Sequence, residues 1–224
     1  VAMTQPILDL SRAHRTDVAH HTFVRVITKD QFAQMRSVPF RLMTADLVAI
    51  LVLDLPDGII PLTQSSVERF GGWDELFAIG IDNLAAMDLI DIDRHGDATC
   101  SFTAVTGGTA LTASKLLVGA DLIEQADGFR PTDDGYLFAA PHSRLFAYSP
   151  IRNASVLPAI RALLRFAAHE FSGAEREDRL SPHIFWQRGE RIEQLSTLED
   201  GGALSVTFSD DCRSVLERVS GQAL

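Results

Sequence analysis

Leu47-Val-Ala-Ile-Leu-Val-Leu53 is an unbroken apolar run that stops at Asp54-Leu-Pro-Asp-Gly58. The run is rich in β-formers, and Pro56 and Gly58 supply the turn that ends it. With no polar residue alternating along it, the strand has no face suited to water, which predicts a central position covered on both sides. Ile59 to Leu62 is its expected returning neighbour.

Working outward, Ser65-Ser66-Val67-Glu68 has capping-box spacing, so a short helix is expected to start at Ser65. After Gly71-Gly72, residues Trp73, Leu76, Phe77, Ile81, Leu84 and Met87 recur every three or four positions and define one stripe of a second helix. Alternation at Ala98, Cys100, Phe102 and Ala104 predicts a half-buried strand, and Ala113 to Ala120 a short helix behind it. Tyr136 to Ala140 reads as a strand closed by Pro141. Ser155 as cap and Pro158 in the first turn open a long helix whose apolar face runs from Ile160 to Phe171. A hairpin follows at Ile184 to Trp186 and Ile192 to Leu195, then a strand at Leu204 to Phe208 and a helix capped by Ser209. Strands and helices mix without regular alternation, which predicts an α+β fold with a mixed or mainly antiparallel sheet and packed helices. The expected organisation is a partly flexible N-terminal segment (1–35), a main α+β region (36–150), and a C-terminal part (151–224) packed on the same domain.

The 224 residues are 46% hydrophobic and 22% charged, enough for a core that needs no metal or disulfide staple. Against 30 Asp and Glu stand 20 Lys and Arg, and the net charge of −10 opposes binding to a phosphate backbone or an anionic membrane. Neither a nucleic-acid nor a membrane partner is therefore expected. Val1 to Arg12 lack the basic-then-apolar order of a secretory signal, and no apolar run approaches the ~20 residues of a membrane span. A cytoplasmic protein is expected. Cys100 and Cys212 form no CxxC pair and are expected to be buried, reduced thiols. The charge is uneven: residues 1–45 carry six basic and three acidic side chains, whereas 72–128 carry two basic and ten acidic.

Motifs with chemical content are sparse. His14 and His21 share a helical face, yet no carboxylate stands at ligand spacing, so no metal site is expected. Gly107-Gly108-Thr109 followed by Ser114-Lys115 lacks the Gly-Lys-Ser/Thr order of a phosphate loop and reads as a turn into a helix. Asp54 and Asp57 flank the turn after the apolar strand, where carboxylates serve as bases or as turn-forming acceptors. Pro141-His142-Ser143-Arg144 sets an imidazole, a hydroxyl and a guanidinium side by side, but no Gly-x-Ser-x-Gly elbow exposes a serine nucleophile.

The order Ala45 to Gly58, a Ser/Thr-led short helix, Trp73-Asp-Glu-Leu76 through Ile81-Asp-Asn-Leu84, Ala113-Ser114-Lys115-Leu116-Leu117 and Ala140-Pro141-His142-Ser143-Arg144-Leu145 resembles the YtpQ-like family of bacterial proteins over about residues 36–150. Ser143-Arg144 stands where the family pattern leads one to expect Arg-Asp. The resemblance implies an α+β middle region and brings no activity, cofactor or catalytic residue.

Lacking a coherent catalytic set, the chain is expected to act by protein–protein binding, with the acidic stretch steering a basic partner into encounter. Asp88, Asp91 and Asp93 are the expected binding residues. The concrete form is an acidic inhibitor or immunity-type protein for a basic toxin, without cofactor. The alternative is a hydrolase in which folding gathers Asp54, Asp57 and His142.

Overall fold

Every residue from Leu47 to Leu53 is at most 1% exposed. In the computed structural model, which describes residue 10 and residues 13–88, 91–97, 100–199 and 204–223, the run forms the centre of a four-stranded antiparallel sheet. The strands are β1 (Thr22–Thr28), β2 (Phe40–Leu42), β3 (Leu47–Leu55) and β4 (Gly58–Pro61). Thr22 lies opposite Leu53 and Thr28 opposite Leu47, while β2 and β4 share the other side of β3. Successive side chains of a strand point to opposite faces, so uniform burial means that both faces are covered. Among the covering elements are α1 (Arg15–His21), α2 (Lys29–Phe32), α3 (Gln64–Phe70) and α4 (Trp73–Ala86), with Val18, Val67, Phe70, Leu76 and Leu84 in the cluster built on β3.

The boundary expected at residue 35 falls between β1 and the strand it pairs with, so the N-terminal region supplies a neighbour of the central strand. The capping box at Ser65 also shifts. Thr63 is the N-cap of α3, its hydroxyl accepting the Ser66 N–H, and Glu68 instead accepts from the Gln64 side chain one turn earlier.

The second sheet has six antiparallel strands in the order β10-β9-β7-β8-β6-β5. These are β5 (Asp91–Asp97), β6 (Cys100–Thr106), β7 (Tyr136–His142), β8 (Leu145–Pro150), β9 (Ile184–Arg188) and β10 (Arg191–Gln194). Its two faces are sorted by alternation. Leu137, Ala139, Ala147, Ile184 and Trp186 pack on α6 (Val156–Gly173) and α7 (Asp210–Ser220). Tyr136, Phe138, Phe146, Tyr148 and Phe185 face a 3-10 helix (Thr112–Val118) and α5 (Gly119–Asp127). A short pair, β11 (Ser196–Leu198) and β12 (Leu204–Val206), completes the strands among the described residues. Because β9 and β10 join strands from before residue 150, the 151–224 region is continuous with the same sheet.

Several local expectations change for identifiable reasons. Pro141 does not close its strand: β7 runs through it to His142 across a bulge, the setting in which a residue without an N–H is tolerated. The helix expected at Ala113 is a 3-10 helix leading into α5. Ser155 makes no side-chain cap, and the Asn153 carboxamide accepts the Ser155 N–H instead. Ser209 caps α7 as expected, accepting from the Cys212 N–H. Cys212 is fully buried, and burial pushes its thiol up to about 12, so it is a packing residue; the Cys100 side chain and Ala98 lie outside the described residues.

Lys115, from the rejected phosphate-loop pattern, serves as a clamp. It is 2% exposed and donates through Nζ to the carbonyls of Leu84 (3.0 Å) and Met87 (2.5 Å), which end α4. Burial lowers its pKa against the pull of Asp88, while the carbonyl end of the helix favours the cation. The two sheets are further tied where the Val26 N–H donates to Ser114 Oγ (2.9 Å) and Gln31 Nε2 donates to the Glu177 carbonyl (2.7 Å).

Candidate functional site

The corner between β7 and β8 gathers the polar groups of Pro141-His142-Ser143-Arg144 against the turn that follows α6. Ser143 is 2% exposed; its N–H donates to the Asp178 carbonyl (2.8 Å) and its hydroxyl to Asp178 Oδ1 (2.7 Å). His142 Nδ1 accepts the Arg144 N–H (3.3 Å), which leaves the Nε2 proton directed toward Glu170, 3.9 Å away. Arg144 Nε lies 3.9 Å from Asp178 Oδ2, and Asp178 also acts electrostatically on the half-buried Arg25 of β1. The serine is thus a buried donor to a carboxylate, with no imidazole placed to take its proton. Beside the corner, the Gln31–Glu177 bond ties this turn to α2.

Asp54 and Asp57 are elsewhere. Asp54 lies opposite Ile59 across the β3–β4 pair, and its backbone carbonyl meets His21 Nδ1 at 3.1 Å. Asp57 is exposed in the turn. The charges that act on His142 are Glu170, Asp178 and Arg144, not the two turn carboxylates, so the set expected of a hydrolase is not brought together. His14 precedes α1, and His20 and His21 end it. Among the described residues, no group of three His, Cys, Asp or Glu is placed to hold a metal ion.

A cleft of about 740 Å³ opens beside the corner, between α2 and the segment Arg176 to His183. Lys29, Asp30, Asp46 and Glu177 give it charges of both signs. His183 is the buried titratable group there: its Nδ1 lies 3.2 Å from Ser196 Oγ, which also accepts the Ile184 N–H and is fully buried. That hydroxyl is committed to structure and closed to a substrate. Burial lowers the pKa of both His142 and His183, outweighing Glu170 for the first and Asp46 for the second.

A pH dependence follows from these two groups. Each is held below the ordinary histidine value of 6.5 in the folded chain, so on acidification the unfolded chain binds protons first. The stabilisation is present above about 6.5 and is lost as pH falls through the depressed folded values. Denaturant melts between pH 7 and pH 5 should show a falling midpoint, and replacing both residues with Gln should flatten that slope. An unchanged slope in the double variant would assign the acid sensitivity to other groups.

The expected binding residues occupy the opposite end of the larger sheet. Asp88 is exposed after α4, whereas Asp91 and Asp93 belong to the edge strand β5 and not to a loop. With Asp93 opposite Ala104 and His95 opposite Phe102, Asp91, Asp93 and His95 share the face that α6 covers. His95 stacks on Phe102 (4.8 Å) and meets Phe166 of α6 (5.2 Å). On the other face Arg94 pairs with Asp127 at 2.9 Å. Asp91 and Asp93 are exposed, and Ile92 between them is 37% exposed.

Sequence order gives no sign of the Ser143–Asp178 contact, because the partners stand 35 positions apart. The sequence marks Asp178 only as one of the charged residues in the turn after α6. Among the described residues, no helix is long and apolar enough to cross a membrane. Comparisons of the chain with protein-family models, curated proteins and solved structures find no match.

Proposed function

We propose that this protein acts by binding a basic macromolecular partner along the free edge of β5. The observation that carries the proposal is the exposed Asp91-Ile92-Asp93 of an edge strand, with Asp88 beside it. An edge strand offers unpaired backbone groups, and acidic side chains on it repel a second acidic edge. A basic segment meets the opposite condition: its charges are attracted, and Ile92 offers apolar contact. A net charge of −10 favours the same class of partner and disfavours nucleic acid and anionic membrane. The concrete form is a cytoplasmic inhibitor or immunity-type protein that covers a basic toxin or nuclease and works without a cofactor. Kinship with the YtpQ-like family is proposed on the same footing, supported by the run at Ala45 to Gly58, the helix at Trp73 and the segment Ala113 to Leu117.

Attraction of this kind acts mainly on the association rate and fades once salt screens charges beyond ~8–10 Å. Immobilised protein should retain a basic protein from a native lysate at low salt. The triple variant D88N/D91N/D93N should lose it, and the purified partner should associate several-fold more slowly with that variant. Equal retention by both forms would remove the β5 edge from the interface. Asp91 and Asp93 are exposed, so D91N/D93N should melt within about 0.5 kcal/mol of wild type, while Asp88 also faces the buried Lys115.

A further inference from the structure

The outer side of α6 carries a second surface, of opposite charge. Two adjoining depressions of about 720 and 360 Å³ share Arg161 and Arg165, one helical turn apart and both exposed. Leu157, Ile160 and Leu164 of α6, with Leu204, Val206 and Phe208 across from them, supply the apolar lining. Leu198, 61% exposed, lies directly opposite Leu204 in the β11–β12 pair, which places a large unburied side chain at the lip. Three further exposed arginines of the C-terminal region are engaged, Arg191 with Asp211 and Glu193, Arg218 with Asp134 and Arg188 with the Asp133 carbonyl, while Arg176 lines the separate cleft beside α2. Arg161 and Arg165 have no hydrogen bond or ion pair among the described residues, although acidic side chains outnumber basic ones by ten in the chain.

We infer that this groove is a docking site for an acidic amphipathic helix of another protein. Apolar surface rimmed by polar groups marks an interaction site, and two unpaired guanidinium groups select carboxylates. From Leu157 to Ala168 the groove follows α6 for about 16 Å at 1.5 Å per residue, the length of a three-turn helix. Such a helix presents apolar anchors at i, i+3 or i+4, and i+7 into the groove, and carboxylates four residues apart meet Arg161 and Arg165. An anionic lipid surface fits less well because the chain's net charge of −10 opposes it. The two surfaces differ in the residues that form them: α6 and the Leu204–Phe208 segment line the groove, whereas β5 meets the α6 helix on its sheet-facing side, through His95 on Phe166.

The test is fluorescence anisotropy of the full chain with a labelled 15-residue amphipathic peptide bearing Leu anchors and Glu pairs four residues apart, beside the same peptide with Lys for Glu. Saturable binding of the Glu peptide is expected, at least tenfold weaker for the Lys peptide, at least tenfold weaker for R161E/R165E, and weakened by salt. D88N/D91N/D93N should bind the Glu peptide as wild type does, which separates this surface from the β5 edge. Circular dichroism melts check that R161E/R165E is folded, and the salt titration of wild type needs no variant. No saturable binding, equal affinity for both peptides, or binding untouched by charge reversal would overturn the inference. So would sedimentation with anionic vesicles, or a concentration-dependent dimer that R161E/R165E abolishes.

Discussion

Val52→Asp lowers the free energy of unfolding by about 3 kcal/mol or more in denaturant melts at neutral pH. Val52 is 0% exposed and is held on both sides, opposite Phe23 in β1 and Pro61 in β4, so the strand cannot turn the new side chain to water without losing both registers. Its cluster consists of aliphatic and aromatic side chains, which supply no partner for a carboxylate. Val52→Ala separates the two contributions: it removes the methyl groups without adding a charge and should cost about 2 kcal/mol. Acidification should narrow the gap between the two variants, because a buried carboxylate escapes part of its cost by taking up a proton. A loss below about 0.5 kcal/mol for Val52→Asp would mean that the position is not in the core.

The same burial explains why β3 was legible. An uninterrupted apolar run has a single physical solution in a sheet, α4 and α6 were open to reading because their stripes repeat at helical spacing, and α7 because Ser209 marks its start. Strand β5 was not legible. Asp-Ile-Asp-Arg-His-Gly-Asp has a loop's composition, and it is extended because β6 offers it a hydrogen-bonding edge and His95 a stacking partner in Phe102. Strand β1 was hidden by Arg25, a charged residue within the run Thr22–Thr28 whose burial outweighs the attraction of Asp178 from a distant turn. The cap of α3 shifts from Ser65 to Thr63, and at α6 Ser155 holds the cap position without a side-chain bond while Asn153 accepts its N–H, because neighbouring Ser, Thr and Asn residues compete for the same role. The acidic residues Asp88, Asp91 and Asp93 stand out in the charge count alone, whereas the depression on α6 does not, since Leu204 comes to lie beside Arg161 and Arg165 only in the folded chain.

Gly135→Ala should be nearly as damaging as the buried charge, and Gly128→Ala shows why. Both glycines hold a positive φ, +77° at Gly135 and +75° at Gly128, a conformation that costs an L side chain roughly 1 kcal/mol. They differ in the space around them. A Cβ at Gly128 meets nothing within 4 Å, so its substitution should cost about 1 kcal/mol, the backbone term alone. A Cβ at Gly135 falls 1.9 Å from the Gln187 carbonyl oxygen and 3.2 Å from the Arg188 Cα, both of them backbone atoms of β9 that have no rotamer in which to retreat. Relief requires β7 to part from β9 at the Tyr136–Gln187 pair, beside the point where Gly135 donates to the Thr132 carbonyl and accepts from the Ile151 N–H. Strain and overpacking together put the expected loss at about 3 kcal/mol or more. Denaturant melts of the two variants decide the matter by their difference: equal losses would mean that β7 and β9 are not in the contact described, whereas a gap of about 2 kcal/mol isolates the steric part from the conformational one.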